Sequence, residues 1–175
     1  MNKEQKFDGV KVPLERDLFL RKLLRELTGT LEDVVGLEDA QGYVATVGSA
    51  MGVWVDEQYR KALSVDHLNL GQVAKVFVDL KGRIGGDFYI KSLDEDRIVI
   101  GNRNCPFGEM AHDRPSLCMM TSNVFGRIAA DNLGYARVEL NDTIAQHADE
   151  CHIVVHLKPD ADIEADAREY YGTTT

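Results

Sequence analysis

Apolar residues recur at helical spacing from Leu20 to Leu80, and only beyond Gly86 does the period shorten to that of strands. Leu20, Leu24, Leu27, Leu31 and Val34 alternate steps of four and three. This is a heptad seam over two repeats, on a helix that Pro13 can open with Glu15 and Asp17 at its positive end. The seam is too short for an independent coiled coil but long enough to pair with a second copy or to dock on the domain. Gly36 breaks the pattern. A second helix is expected from about Glu38 to Leu63, with Val44, Val47, Met51, Val55 and Tyr59 on its apolar face. Gly48 and Gly52 lie one turn apart on or next to that face. A glycine costs about 1 kcal/mol in a helix interior. Two of them therefore predict a close approach, by another helix or by a ligand. A third helix fits Asn69 to Ile84, with Val73, Val76, Phe77 and Leu80 inward and Gly82, Gly85 and Gly86 at its end.

Strands are predicted at Asp87–Leu93 and Arg97–Gly101, joined into a hairpin by the acidic turn Asp94-Glu95-Asp96. An irregular stretch follows to Pro115. A helix from Ser116 to Asn132 is stopped by Gly134. Two more strands are predicted, Tyr135–Asp142 and Cys151–Leu157, and the continuous run Ile153-Val154-Val155 suggests that the second is covered on both faces. Beyond Pro159 the chain turns acidic, and a surface helix or frayed tail is expected. The fold class is α+β: N-terminal helices plus an antiparallel sheet with helices packed on one face.

A chain of 175 residues forms one domain with a core that needs no disulfide staples. Its formal charge of −9 argues against direct nucleic-acid binding, which calls for a basic stripe. No apolar run approaches membrane-spanning length, and Met1 to Asp8 is too polar for a secretory signal. Three cysteines, an odd number, suit a reducing compartment. A cytoplasmic protein that binds neither nucleic acid nor membrane is expected.

The chemistry concentrates in those cysteines, Cys105, Cys118 and Cys151, spaced C-x12-C-x32-C. The first opens a Cys-Pro-Phe-Gly turn, the second begins a predicted helix, and the third begins a predicted strand. Thiolates gathered from a turn, a helix and a strand can hold zinc or an iron–sulfur cluster. The bland alternative is three small buried hydrophobes. His112, in the loop between the first two cysteines, is a candidate fourth ligand, and His147 could also reach. The Gly82–Gly86 stretch precedes a strand, whereas phosphate loops follow one, so nucleotide binding is discarded. Neither a Gly-x-Ser-x-Gly elbow nor a His-Glu-x-x-His helix occurs. Trp54, Phe88, Met119 and Phe125 could line an apolar ligand pocket, or fill the core as such residues ordinarily do.

Cys-Pro-Phe-Gly, Arg-Pro-Ser-Leu-Cys, a helix ending Asn-Leu-Gly-Tyr and a strand pair carrying the last cysteine together resemble the methanogen output domain family. That family is similar to the 4-vinyl-reductase-like small-molecule sensor domains. The resemblance runs from about Leu20 to Lys158 and includes Leu-Arg-Glu-Leu-Thr-Gly-Thr-Leu-Glu-Asp-Val-Val-Gly and Asn-Val-Phe-Gly-Arg-Ile-Ala-Ala. A looser similarity joins the three cysteines to the cluster ligands of iron–sulfur-assembly repressors. Where those repressors can carry a further cysteine, this chain has Gly101, and it has no winged helix.

The resemblance implies a division into a flexible tail (1–12), an N-terminal dimerisation helix (13–35), a 4-vinyl-reductase-like sensor domain (36–158) and an acidic C-terminal tail (159–175). It implies a cytoplasmic signal-transduction module that binds zinc or an iron–sulfur centre through Cys105, Cys118 and Cys151. The same resemblance implies a small apolar ligand at the pocket residues Trp54, Phe88, Met119 and Phe125. A homodimer is expected, passing a conformational change to a downstream signalling protein. The rivals are an accessory enzyme or binder in tetrapyrrole or thiol chemistry, which would need a hydride source for which no nicotinamide or flavin fingerprint is present, and a purely structural dimeric adaptor. Of these, a non-catalytic role is favoured.

Overall fold

The computed structural model describes residues 10–159 and 168–172. The helices are α1 (Arg16–Val35), α2 (Leu37–Leu63), α3 (Leu70–Arg83) and α4 (Pro115–Leu133). The strands are β1 (Phe88–Leu93), β2 (Arg97–Asn102), β3 (Tyr135–Asp142), β4 (Cys151–His156) and β5 (Arg168–Tyr171).

Local chemistry sets most of these boundaries. Asn69 caps α3 by accepting the Gln72 N–H at 3.0 Å, while the Gln72 side chain accepts the Asn69 N–H at 2.8 Å. This reciprocal capping box satisfies two donors that the first turn would otherwise leave bare. Pro115 opens α4, where its missing N–H is not needed. Gly134, at φ +92°, ends α4 by donating to the Ala130 carbonyl at 2.8 Å.

The five strands form one antiparallel sheet in the order β1-β2-β4-β3-β5. The predicted α+β architecture, an antiparallel sheet backed by helices, is the one observed. The core joins Ile98, Ile100, Val138, Ile153 and Val155 of the sheet to Phe77 of α3 and to Phe125 and Ile128 of α4. β4 lies between β2 and β3, as its continuous apolar run requires.

Gly48 and Gly52 let α4 approach α2. A Cβ at 48 would stand 2.8 Å from Asn123 Cβ, and one at 52 would stand 2.7 Å from Arg127 Cβ. The close approach predicted from these glycines is made by the chain's own helix, so this face is not free for a second copy. The predicted apolar face of α2 is corrected in part. Val44 and Val55 are buried, but Val47 and Met51 are exposed. Val47 and Met51 align with Tyr43 and Trp54 in a separate exposed stripe, at helical spacing. On α1, Phe19, Leu20, Leu23, Leu24 and Leu27 are also exposed.

β5 is the element the sequence reading overlooked. Arg-Glu-Tyr-Tyr pairs with β3 where a frayed tail or surface helix was expected. The rest of that predicted tail, residues 160–167 and 173–175, lies outside the described residues, as do residues 1–9 of the predicted N-terminal tail. Tyr170 is buried against Gly126 of α4, with its hydroxyl 3.0 Å from Ser122 Oγ. A Cβ at 126 would fall 2.1 Å from the Tyr170 ring. Gly126→Ala is therefore expected to displace that ring and cost about 1–3 kcal/mol, as overpacking typically does. Chemical denaturation checks it, and an unchanged midpoint would refute the packing of β5 on α4.

Candidate functional site: a three-cysteine chamber

Three elements bring the cysteines to one chamber. Beyond β2 the chain turns through Cys105-Pro-Phe-Gly, closed by the Gly108 N–H on the Cys105 carbonyl at 2.8 Å. Gly108, at φ +56°, takes a left-handed conformation that glycine adopts without strain. Cys118 stands in the first turn of α4. Cys151 begins β4, directly opposite Asn102 of β2. All three line a cavity of about 30 Å³. Its other walls include Phe88, Pro106, Phe107, Leu117, Leu140 and Ile153, with Asn102, Thr121 and Thr143 as polar positions.

Hydrogen-bond donors reach the sulfur of Cys151. Cys151 Sγ accepts from Asn102 Nδ2 at 3.5 Å and from the Ile144 N–H at 3.4 Å. The Phe107 and Gly108 backbone beside Cys105 and the Thr143 side chain beside Cys118 also favour the thiolates, while the Thr143 hydroxyl donates to Gln146 Oε1 at 3.0 Å. Burial works against these donors. It raises the pKa of Cys105 above the ordinary thiol value, and it pushes Cys118 up to about 12, with Cys105 and Cys151 adding to the effect. As free thiols, Cys105 and Cys118 are thus protonated at neutral pH.

Beside the sulfurs lies Lys81, only 4% exposed. Its Nζ is 2.8 Å from Thr121 Oγ1 and sits 5.2 Å and 5.3 Å from the Phe88 and Phe125 ring centroids. Burial pulls its pKa down to about 8, and all three cysteines partly oppose that fall. Lys81 was missed in the sequence. The signal was available, because it continues the buried Val73, Phe77 spacing by one further step of four.

The other predicted site residues divide. Phe88 lines the chamber. Phe125 lies behind it, stacked on Phe77 at 4.1 Å and edge-on to Phe88 at 6.0 Å. Met119 is half-buried and is not part of the lining, and Trp54 is 54% exposed on α2. His112 is not brought to the cysteines; its ring lies 5.1 Å from that of His147. Gly101 also has no bearing on the chamber. It neighbours Asn102 on a strand, so its side-chain direction is to the opposite face, where a Cβ would meet the Tyr89 ring at 2.4 Å. Among the described residues, no group of three or more His, Cys, Asp or Glu side chains stands in a metal-ligating arrangement.

The loop over the chamber is tied to α1. Arg25 donates to the Met110 carbonyl at 2.7 Å and the His112 carbonyl at 2.6 Å. Glu32 accepts the Ser116 hydroxyl at 2.5 Å and pairs with Arg114 at 3.5 Å. Among the described residues, no helix is long and apolar enough to cross a membrane.

The fold is similar to the phenol-responsive sensory domain of the transcription activator PoxR, solved with phenol. The TM-score is 0.63 at 16% identity, covering 84% of this chain and 77% of that one. It is also similar to trafficking protein particle complex subunit 3 from Naegleria fowleri, covalently bound to palmitic acid. There the TM-score is 0.55 at 14% identity, covering 81% of this chain and 96% of that one. No curated protein is significantly similar in sequence. The sequence profile of methanogen output domain 1 matches residues 23–156, which takes in α2, α3, α4, the four-strand body of the sheet and all three cysteines, and the chain belongs to that family.

Proposed function

We propose that the domain is a signalling sensor and output module whose input is a metal centre held by Cys105, Cys118 and Cys151. The observation that carries this reading is the treatment of the sulfurs. Cys151 accepts two N–H donors, and the Phe107 and Gly108 backbone beside Cys105 and the Thr143 side chain beside Cys118 favour the thiolate, inside an otherwise apolar chamber. Such donors do little for a neutral thiol, but they stabilise a thiolate. A bound cation is what keeps buried thiols deprotonated. The donor set is soft, which suits zinc or an iron–sulfur cluster. The residues therefore fit such a group in chemistry, with side-chain adjustment needed to bring the three sulfurs onto it. The chamber volume favours an ion over an organic ligand, since about 30 Å³ is far below the ~300–1,000 Å³ of ordinary ligand pockets.

The centre would be read out through α1. Arg25 and Glu32 connect that helix to the loop between Cys105 and Cys118. The exposed apolar residues of α1 and the Tyr43, Val47, Met51, Trp54 stripe of α2 suit pairing with a second copy or a downstream signalling protein.

Anaerobic purification followed by elemental analysis and an absorption spectrum tests the reading. Visible charge-transfer absorption with iron and sulfide identifies an iron–sulfur centre. Stoichiometric zinc in a colourless protein identifies zinc. Metal-free protein with three titratable thiols overturns the proposal. Cys105→Ser, Cys118→Ser and Cys151→Ser are each expected to lower metal occupancy at least tenfold while the circular dichroism spectrum is kept.

A second reading, a small apolar effector at the same chamber, is favoured by the Phe88, Leu140 and Ile153 walls and by the phenol in the PoxR domain. It requires the chamber to open. A thermal shift on adding phenol to metal-free protein would support it.

A further inference from the structure

A buried ammonium needs a counter-charge. Removing one from water costs several kcal/mol unless it is compensated. Lys81 has no carboxylate partner among the described residues; it has one hydroxyl, Thr121, and two aromatic faces, Phe88 and Phe125. Thr121 and Phe88 both line the chamber. The groups beside Lys81 that can become anionic are the three cysteines on the same walls.

We propose that Lys81 is the built-in counter-ion of the three-cysteine centre, and that it selects an occupant with a doubly positive core and an uncharged fourth ligand. The inference rests on the metal reading given above. Three thiolates and one ammonium carry a net charge of −2. A dication, or a cluster core of the same charge, makes the buried set neutral. A carboxylate or thiolate as fourth ligand would restore a buried negative charge; water or another neutral donor would not. This accords with the absence of His, Asp and Glu from the chamber lining among the described residues. Lys81 is a positioning residue in this scheme, acting on the occupant through charge and not through a bond.

The test uses Co²⁺ added to the reduced, metal-free protein, read by thiolate-to-cobalt charge-transfer absorption. Lys81→Met removes the charge and keeps the length. It is expected to weaken Co²⁺ binding at least tenfold. It should also raise the melting temperature of the metal-free protein, because an uncompensated buried charge is gone. Thr121→Val keeps the charge but loses its anchor, and a smaller loss is expected. The decisive comparison is a double-mutant cycle. Cys118→Ser should cost less affinity in the Lys81→Met background than in the parent, because removing one thiolate there restores neutrality. A purely structural lysine would give additive losses. Unchanged or tighter Co²⁺ binding by folded Lys81→Met, or strict additivity, overturns the inference. If methionine packs badly, Lys81→Gln takes its place. A parent protein that gives no thiolate–cobalt band removes the centre itself and this inference with it. A parent band with an inert Lys81→Met removes only the role of Lys81.

Discussion

Phe125→Ala is expected to lower the stability of the domain by about 3–5 kcal/mol, the usual cost of emptying a buried aromatic site. Phe125 is fully buried. It lies nearly parallel to Phe77, at 16°, and nearly perpendicular to Phe88, at 80°. Three elements, α3, α4 and β1, therefore lose a shared contact at once. The loss is also electrostatic, because the ring is one of the two that face the Lys81 ammonium. For a chain of this size each kcal/mol moves the melting temperature by about 2–4 °C, so a fall of roughly 6–20 °C should be seen by calorimetry. Phe125→Leu, which keeps most of the volume, should lose less than half as much. Equal losses from the two variants would show that the ring and its aromatic contacts, and not its volume, carry the stability, and a fall under about 2 °C for alanine would contradict the packing itself.

Removing metal from the loaded protein is expected to have an effect of similar size. At a free metal concentration a thousand times the dissociation constant, binding stabilises the folded state by about 4 kcal/mol. On the same scaling, chelation should lower the melting temperature by roughly 8–16 °C. The reason is positional. The proposed ligands come from the turn after β2, from the first turn of α4 and from the start of β4, so one centre would link α4 to the β2–β4 ladder. In Cys118→Ser the chelator should have little left to remove, and the two melting curves should nearly coincide. A parent protein whose melting does not respond to chelation would contradict the proposed centre.

The sequence made the helices legible because each carries its own punctuation: Gly36, the Asn69–Gln72 box, Pro115 and Gly134. β3 was legible at its start, since Tyr135 follows a helix-ending glycine; the bulge between Leu140 and Asp142 shows only in its pairing with β4. β5 was not. Arg-Glu-Tyr-Tyr has no alternation long enough to show, and its reason to be a strand is a partner edge on β3 and a glycine on α4 that admits Tyr170. The cysteines could be read as a group from their residue type and predicted elements. The spacing from Val73 and Phe77 puts Lys81 on the buried stripe of α3, but it could not be read as a neighbour of the cysteines, because only tertiary contact brings that stripe to them. His112 was misplaced for the converse reason. Nearness in sequence to Cys105 and Cys118 said nothing about the direction of a side chain that packs against His147. Trp54, chosen as an aromatic beside Gly52, is exposed while that glycine faces α4.

The position of β4 has a consequence for the order of events during synthesis. β4 is the last of the three central strands to be made, yet it enters between β2 and β3. Until it does, Asn102 has no Cys151 opposite it, and the chamber has only two of its three sulfurs. Strand insertion of this kind depends on contacts distant in sequence and is a late, slow event in folding. A nascent chain that ends before Cys151 therefore offers two thiols, one on the turn after β2 and one on α4, and loading of the proposed centre would wait for the sheet to close.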